Sequence, residues 1–147
     1  MSLETSCKHP MGDPVILSLD PGVTTGYVIA TRAGEYPEWG ELTMWAGLEE
    51  LIIKWQPEFI VYEAFTLYAS KARQMINSSF EAVQVIGVIM YLCEQRKIHV
   101  TYQPALWDHR IKLPYAVSHA IHSEHARSAA RHAVVYFRRH RLPKEAP

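Results

Sequence analysis

The sequence is poor in cysteine and lacks any long apolar run. Its two cysteines, Cys7 and Cys93, lie far apart and in no CxxC arrangement. That argues against a disulfide framework or a cysteine-rich metal site and fits a reducing, intracellular setting. No apolar stretch reaches the roughly 18 residues of a membrane span, so no membrane partner is expected. Residues 1–13 are polar and lack the apolar core of a signal peptide. They read as a flexible leader, and 142–147 as a flexible tail, around one domain over 14–141. Internal repeats and low-complexity tracts are also missing. What is present is an ordinary globular composition, 147 residues with 48% hydrophobic and 20% charged side chains. That is enough for one real core, and a cytoplasmic protein is expected.

The net charge is also zero, but the zero conceals two unlike halves. Residues 1–95 carry 5 Lys and Arg against 12 Asp and Glu, a net of −7. Residues 96–147 carry 10 against 3, a net of +7. Arg127, Arg131, Arg138, Arg139, Arg141 and Lys144 crowd the last stretch. An acidic site beside a basic face suits a metal-dependent enzyme acting on a polyanion. The plainer alternative is a basic helix end, favoured by the helix dipole.

The apolar run Val15–Leu19 reads as a buried strand that delivers Asp20 at its tip. Pro21 and Gly22 turn the chain, and residues 25–32 form a second strand, antiparallel to the first. An alternating run from Trp39 to Trp45 is a third. Leu48, Leu51, Ile52 and Trp55 have helical spacing, and Pro57 stops that helix. Residues 58–63 form a short apolar strand that ends, like the first, on a carboxylate, Glu63. Residues 64–77 read as a partly basic loop. Residues 79–97 read as a long helix capped by Ser79, apolar over most of its circumference and so buried on more than one side. Residues 98–102 are a further strand, 104–119 are irregular or briefly helical, and 121–140 are the last helix. Trp39, Trp45 and Trp55 are expected in the core. The order β-β-β-α-β-α-β-α predicts an α/β fold, a mixed sheet covered by helices, with both carboxylates at one end if their strands are parallel neighbours.

Turning about 100° per residue, the last helix sorts into three faces. Ala126, Ala129, Ala130, Ala133, Val134 and Phe137 make an apolar face of small residues suited to close packing on a sheet. Arg127, Arg131 and Arg138 make a basic stripe. Glu124, His125, Ser128 and His132 make a polar stripe beside it. Asp20, Glu63 and Glu124 are three carboxylates on three elements, and His125 is a further ligand or a general base, with an ordinary pKa near neutrality. This oxygen-rich set suits Mg2+ or Mn2+. A pair of such ions, roughly 3.5–4 Å apart, would serve phosphodiester hydrolysis. His119, His122 and His125 form an HxxHxxH series, but no cysteine or further histidine pattern completes a zinc site.

These residues resemble the RuvC family of Holliday-junction resolvases, within the ribonuclease-H-like superfamily, over roughly residues 14–140. Leu19-Asp-Pro-Gly22 with Gly26 resembles the family's first strand. Pro57–Phe65 resembles its second acidic strand, with Glu63 at the catalytic position. Phe80–Leu92 is similar to the long helix that follows. His125-Ala-Arg-Ser-Ala-Ala130 resembles the closing helix, and the compact size is similar to that of bacteriophage members. The resemblance implies a five-stranded ribonuclease-H-like sheet and a Mg2+- or Mn2+-dependent endonuclease that nicks four-way junctions or other branched DNA. It implies a homodimer, with the helix over 79–97 as the candidate interface, and a place at the nucleoid. Asp20, Glu63, Glu124, His125 and Ser128 would be catalytic, the first four as metal ligands. Phe65 or Tyr68 would stack on an unpaired base, and Lys71, Arg73, Arg110, Lys112, Arg127 and Arg131 would contact phosphates. Ser128 departs from the pattern, because the family has an acid there. Three explanations compete. Glu124, one turn earlier, supplies the missing charge; the serine is an engineered replacement; or the protein binds junctions without cutting them.

Overall fold

The computed structural model describes residues 14–65, 80–105 and 111–140. The expected leader and tail, and the cap at Ser79, lie outside the described residues. The strands are β1 (Val15–Asp20), β2 (Thr24–Thr31), β3 (Glu38–Thr43), β4 (Phe59–Glu63) and β5 (His99–Gln103). The helices are α1 (Leu48–Trp55), α2 (Glu81–Arg96), α3 (Tyr115–Ala120) and α4 (Glu124–Arg139). The sheet order is β3-β2-β1-β4-β5. β1 pairs antiparallel with β2 and parallel with β4, and β4 pairs parallel with β5. The mixed five-stranded sheet flanked by helices is therefore as expected. Among the described residues no helix is long and apolar enough to cross a membrane.

The period-2 pleat divides the core between the two faces of the sheet. Val15, Leu17, Leu19 and Ile60 point to one face, where Leu48, Leu51 and Ile52 of α1 and Val85, Ile89 and Leu92 of α2 cover them. Ile16, Val28, Ala30 and Val61 point to the other, under Ala126, Ala129, Ala130 and Ala133 of α4. The same alternation puts Ser18, Asp20 and Glu63 on the α4 side. Asp20 and Glu63 end adjacent parallel strands whose last register pair is Leu19 with Tyr62. The strand backbones there lie about 4.8 Å apart.

α4 seats unusually close to the sheet. A Cβ at Gly26 would fall 2.1 Å from the backbone carbon and oxygen of His125 and 2.6 Å from the nitrogen of Ala126. Only glycine lets β2 and α4 meet backbone to backbone. The buried Ser18 hydroxyl donates to the carbonyl oxygen of Ala129 at 2.6 Å, tying β1 to the same helix. Ser123 caps the helix by accepting from the Ala126 N–H at 3.1 Å, and its own hydroxyl donates to Glu41 of β3.

Two expectations need correction. Trp39 and Trp45 are not core residues, being 38% and 42% exposed. Trp39 lies on the edge strand β3, whose exposure alternates, and Trp45 lies in the turn after it. Trp55 does pack against the core, donating its indole N–H to Glu38. Within the single chain, α2 buries one face only, and Val83, Met90 and Tyr91 are exposed. Tyr102 and Val100 of the edge strand β5 are exposed as well.

Gly26→Ala is expected to destabilise the protein by about 3 kcal/mol or more, because rigid helix backbone must move to admit the methyl group. Gly87→Ala in α2, where a Cβ meets nothing within 4 Å, should instead stabilise by about 0.5–1 kcal/mol. Urea unfolding midpoints of the two variants test the contrast, and equal midpoints would refute the close-approach account.

Candidate active site

Asp20, Glu63, His125, Ser128 and His132 meet at the carboxyl ends of β1 and β4 beneath α4. α4 passes over β2, β1 and β4, so residues two turns apart on it reach different strands. Nδ1 of His125 lies 3.5 Å from Oδ2 of Asp20, at the long end for a hydrogen bond. The His125 side chain is half exposed and that of Asp20 is mostly covered. One turn along, the Ser128 hydroxyl donates to Oε2 of Glu63 at 3.3 Å. A further turn along, Nε2 of His132 lies 2.8 Å from the same Oε2. Nδ1 of His132 lies 2.8 Å from Oε1 of Gln103. Gln103 is the register partner of Glu63 across β4 and β5, so the pleat turns both toward α4.

The surroundings shift the two carboxylates in opposite directions. Burial, and next the negative charge of Glu63, push Asp20 above its ordinary pKa, against weaker opposing help from His125 and His132. The hydrogen bond from His132 comes first among the causes that hold Glu63 below its ordinary value, with the Ser128 hydroxyl adding to it against burial. Glu63 is thus kept ionised by the protein, while Asp20 lacks comparable support.

Sequence reasoning placed His132 on the polar stripe without giving it a role, and it passed over Gln103. The signal for His132 was that stripe. Gln103 had none, because the strand was expected to end at Tyr102. Glu124 does not join the site as expected. It takes the first position of α4 and is exposed. Among the described residues, the charges that shift Asp20 are those of Glu63, His125 and His132. Helical side chains lean toward the N-terminus, so a first-turn residue points off the end of the helix rather than over the sheet. Phe65 is half buried and meets Phe80 edge-on, with ring centroids 5.9 Å apart. On the α2 side of the sheet, opposite Glu63, Phe65 joins Tyr62, Val83, Ile86 and Tyr102 around a cavity of about 300 Å3.

The Arg127 guanidinium is used within the chain. It donates at 3.0 Å to the carbonyls of Ser118 and Ile121 and so braces α3 against α4. Lys112 and Arg131 line a groove of about 390 Å3 with Tyr115 and His119. Tyr68, Lys71, Arg73 and Arg110 lie outside the described residues.

Among the described residues no three His, Cys, Asp or Glu side chains group closely enough to enclose a metal ion. The expected set of Asp20, Glu63, Glu124 and His125 is therefore not assembled as one donor group. The neighbouring pair Asp20 and Glu63 does fit a cation. Mg2+ is commonly held by one or two carboxylates, with water and substrate phosphate completing its shell. Burial first, and then the charge of Glu63, raise the pKa of Asp20, and a cation between the two carboxylates would offset both effects.

Opposite stability effects follow for the metal-free protein. Asp20 binds its proton more tightly folded than unfolded, so its ionisation opposes folding once the pH exceeds the ordinary Asp range. Glu63 behaves in reverse, favouring folding near neutrality and losing that contribution as the pH falls through its lowered folded value. Asp20→Asn should raise the melting temperature near neutral pH and have little effect in acid. Glu63→Gln should lower it near neutral pH. Thermal melts in EDTA from neutrality down to about pH 3 check both signs, and a destabilised Asp20→Asn protein would contradict the first.

No protein-family model matches the chain, and no curated protein matches its sequence. Solved structures do match. Thermus thermophilus RuvC in complex with Holliday junction substrate superposes with a TM-score of 0.65 at 13% identity, over 86% of this chain and 96% of that one. A second Thermus thermophilus RuvC structure superposes with a TM-score of 0.60 at 13% identity, over 85% and 95%. The chain has a RuvC-like, ribonuclease-H-like fold.

Proposed function

We propose that the protein is a Mg2+- or Mn2+-dependent endonuclease that nicks Holliday junctions or other branched DNA. The observation that carries this reading is the delivery of Asp20 and Glu63, by adjacent parallel strands, to the place where α4 lays His125 and His132 against them. The RuvC-like fold supports it, since one of the matching structures holds a Holliday junction substrate.

Asp20 and Glu63 would hold the cation. It would supply water activated near neutral pH and offset charge gathering on the phosphate. With Nδ1 turned to Asp20, His125 keeps Nε2 to accept the proton of the attacking water. In-line attack of the water on phosphorus would break the bond to O3′, which would take up a proton from solvent, leaving a 5′-phosphate and a 3′-hydroxyl. Lys112 and Arg131 of the groove contact backbone phosphates, and so do Lys71, Arg73 and Arg110 on the sequence reading. Phe65, Tyr68 or the exposed Tyr102 stacks on an unpaired base. Val83, Met90 and Tyr91, at i, i+7 and i+8 on the exposed face of α2, support a homodimer that places two sites on a twofold-symmetric junction. Such an enzyme would work at the nucleoid.

A labelled four-way junction incubated with Mg2+ or Mn2+ tests the proposal. Metal-dependent nicking is expected, with Asp20→Asn reducing the rate at least about 100-fold while junction binding persists. Binding should weaken steeply with salt. Binding without nicking in any divalent metal would instead leave a non-catalytic junction-binding protein, the reading that Ser128 in place of an acid favours. Flap DNA and an RNA–DNA hybrid, assayed in parallel, separate junction cutting from other ribonuclease-H-like activities.

A further inference from the structure

His132 has no exposed surface and Gln103 is 3% exposed. A buried polar side chain is unfavourable unless its hydrogen bonds are made, and here both imidazole nitrogens have partners. A carboxylate oxygen accepts, so across the 2.8 Å contact with Oε2 of Glu63 the donor is Nε2–H. The Gln103 amide leaves that proton in place in either orientation. His132 therefore acts on Glu63 as a donor, with no lone pair turned toward the site.

The consequence for Glu63 is geometric. Oε2 receives both Nε2–H of His132 and the hydroxyl of Ser128. Oε1 is the oxygen left for a cation. Among the described residues, the remaining candidates on the α4 side are Glu124, exposed and outside the site, and His125, whose Nδ1 faces Asp20. A two-ion centre needs separate donors for each ion in addition to a bridging carboxylate, with the ions roughly 3.5–4 Å apart. α4 supplies no carboxylate for the second.

We infer that His132, backed by Gln103, is the positioning residue of Glu63, and that with Ser128 it closes the wall of the site so that the chain holds a single divalent cation between Asp20 and Glu63. The inference rests on the nuclease reading above but departs from the paired ions that the sequence suggested.

Mn2+ binding to the metal-free full-length protein tests it, by calorimetry for the count and by electron paramagnetic resonance for coupling between ions. The expected result is one Mn2+ per chain with an uncoupled spectrum. His132→Ala should weaken binding about 10–100-fold at the same count. His132→Gln, whose amide still donates to Glu63, should recover most of the loss. Ser128→Asp supplies the missing carboxylate and should raise the count to two, with a coupled spectrum. Two ions bound to the unaltered protein would overturn the inference while leaving the nuclease reading intact. So would unchanged affinity in a His132→Ala protein that keeps its circular dichroism spectrum. If His132→Ala does not fold, Ser128→Asp decides, and a count that stays at one refutes the assignment of the wall. Failure of the unaltered protein to bind Mn2+ at all is a different result, and it removes the cation reading itself.

Discussion

Everything at the site depends on how closely α4 lies against β2. Helices commonly pack on sheets through side chains that hold the backbones apart. Here the hydrogen of Gly26 faces the backbone of His125 directly, and a run of buried alanines keeps the helix low as it continues across β1 and β4. The Ser18 hydroxyl then fixes its rotation by bonding the Ala129 carbonyl. His125 and His132 are seven residues apart, about 10 Å along the helix. That is about two interstrand spacings, the step from β2, where Gly26 lies under the His125 backbone, to β4. A helix crossing the strands at this height therefore lets His125 reach from above β2 to Asp20 on the neighbouring β1 and sets His132 against Glu63 on β4. Raising it by the thickness of a methyl group would loosen both contacts together.

That geometry treats two similar carboxylates differently. Both end parallel strands on the same face, and both are partly covered. Glu63 is surrounded by donors from α4 and stays charged. Asp20 has one long contact to a half-exposed histidine and carries the effects of burial and of its neighbour's charge. Carboxylates perturbed by their surroundings in this way cluster at functional sites. The acidic first part of the chain contributes the pair, and the basic last part contributes the helix that lies over it.

Much of this could be read from residue order. Alternation and apolar runs located all five strands, Pro57 marked the end of α1, and the two acids at strand tips were visible because each closes an apolar run. The helical wheel separated the alanine face of α4 from its polar stripe. What could not be read was depth. Glu124 and His132 share that stripe, yet one is exposed at the helix start and the other is sealed over β4 and β5. A wheel gives angle but not position along the sheet, and the helix begins at Glu124 rather than three residues earlier. Gln103 was missed for a related reason. Only the parallel register of β4 with β5 brings it beside Glu63, and long-range pairing leaves no local trace. Trp39 and Trp45 misled because large aromatics usually signal a core, whereas an edge strand and its turn leave them half in solvent.

Ser128 and His132 are best understood together, as an exchange of charge for hydrogen-bond donors. An acid at position 128 would set a third carboxylate against Asp20 and Glu63, and mutual repulsion among three would call for more than one divalent ion. A serine there adds no charge and gives its hydroxyl to Glu63. The imidazole one turn further gives a second donor to the same oxygen, and Gln103 secures it. The number of uncompensated carboxylate charges falls to about what one cation neutralises. In the proposed single-cation site, the protein's own donors take over part of the compensation that a second ion would otherwise provide.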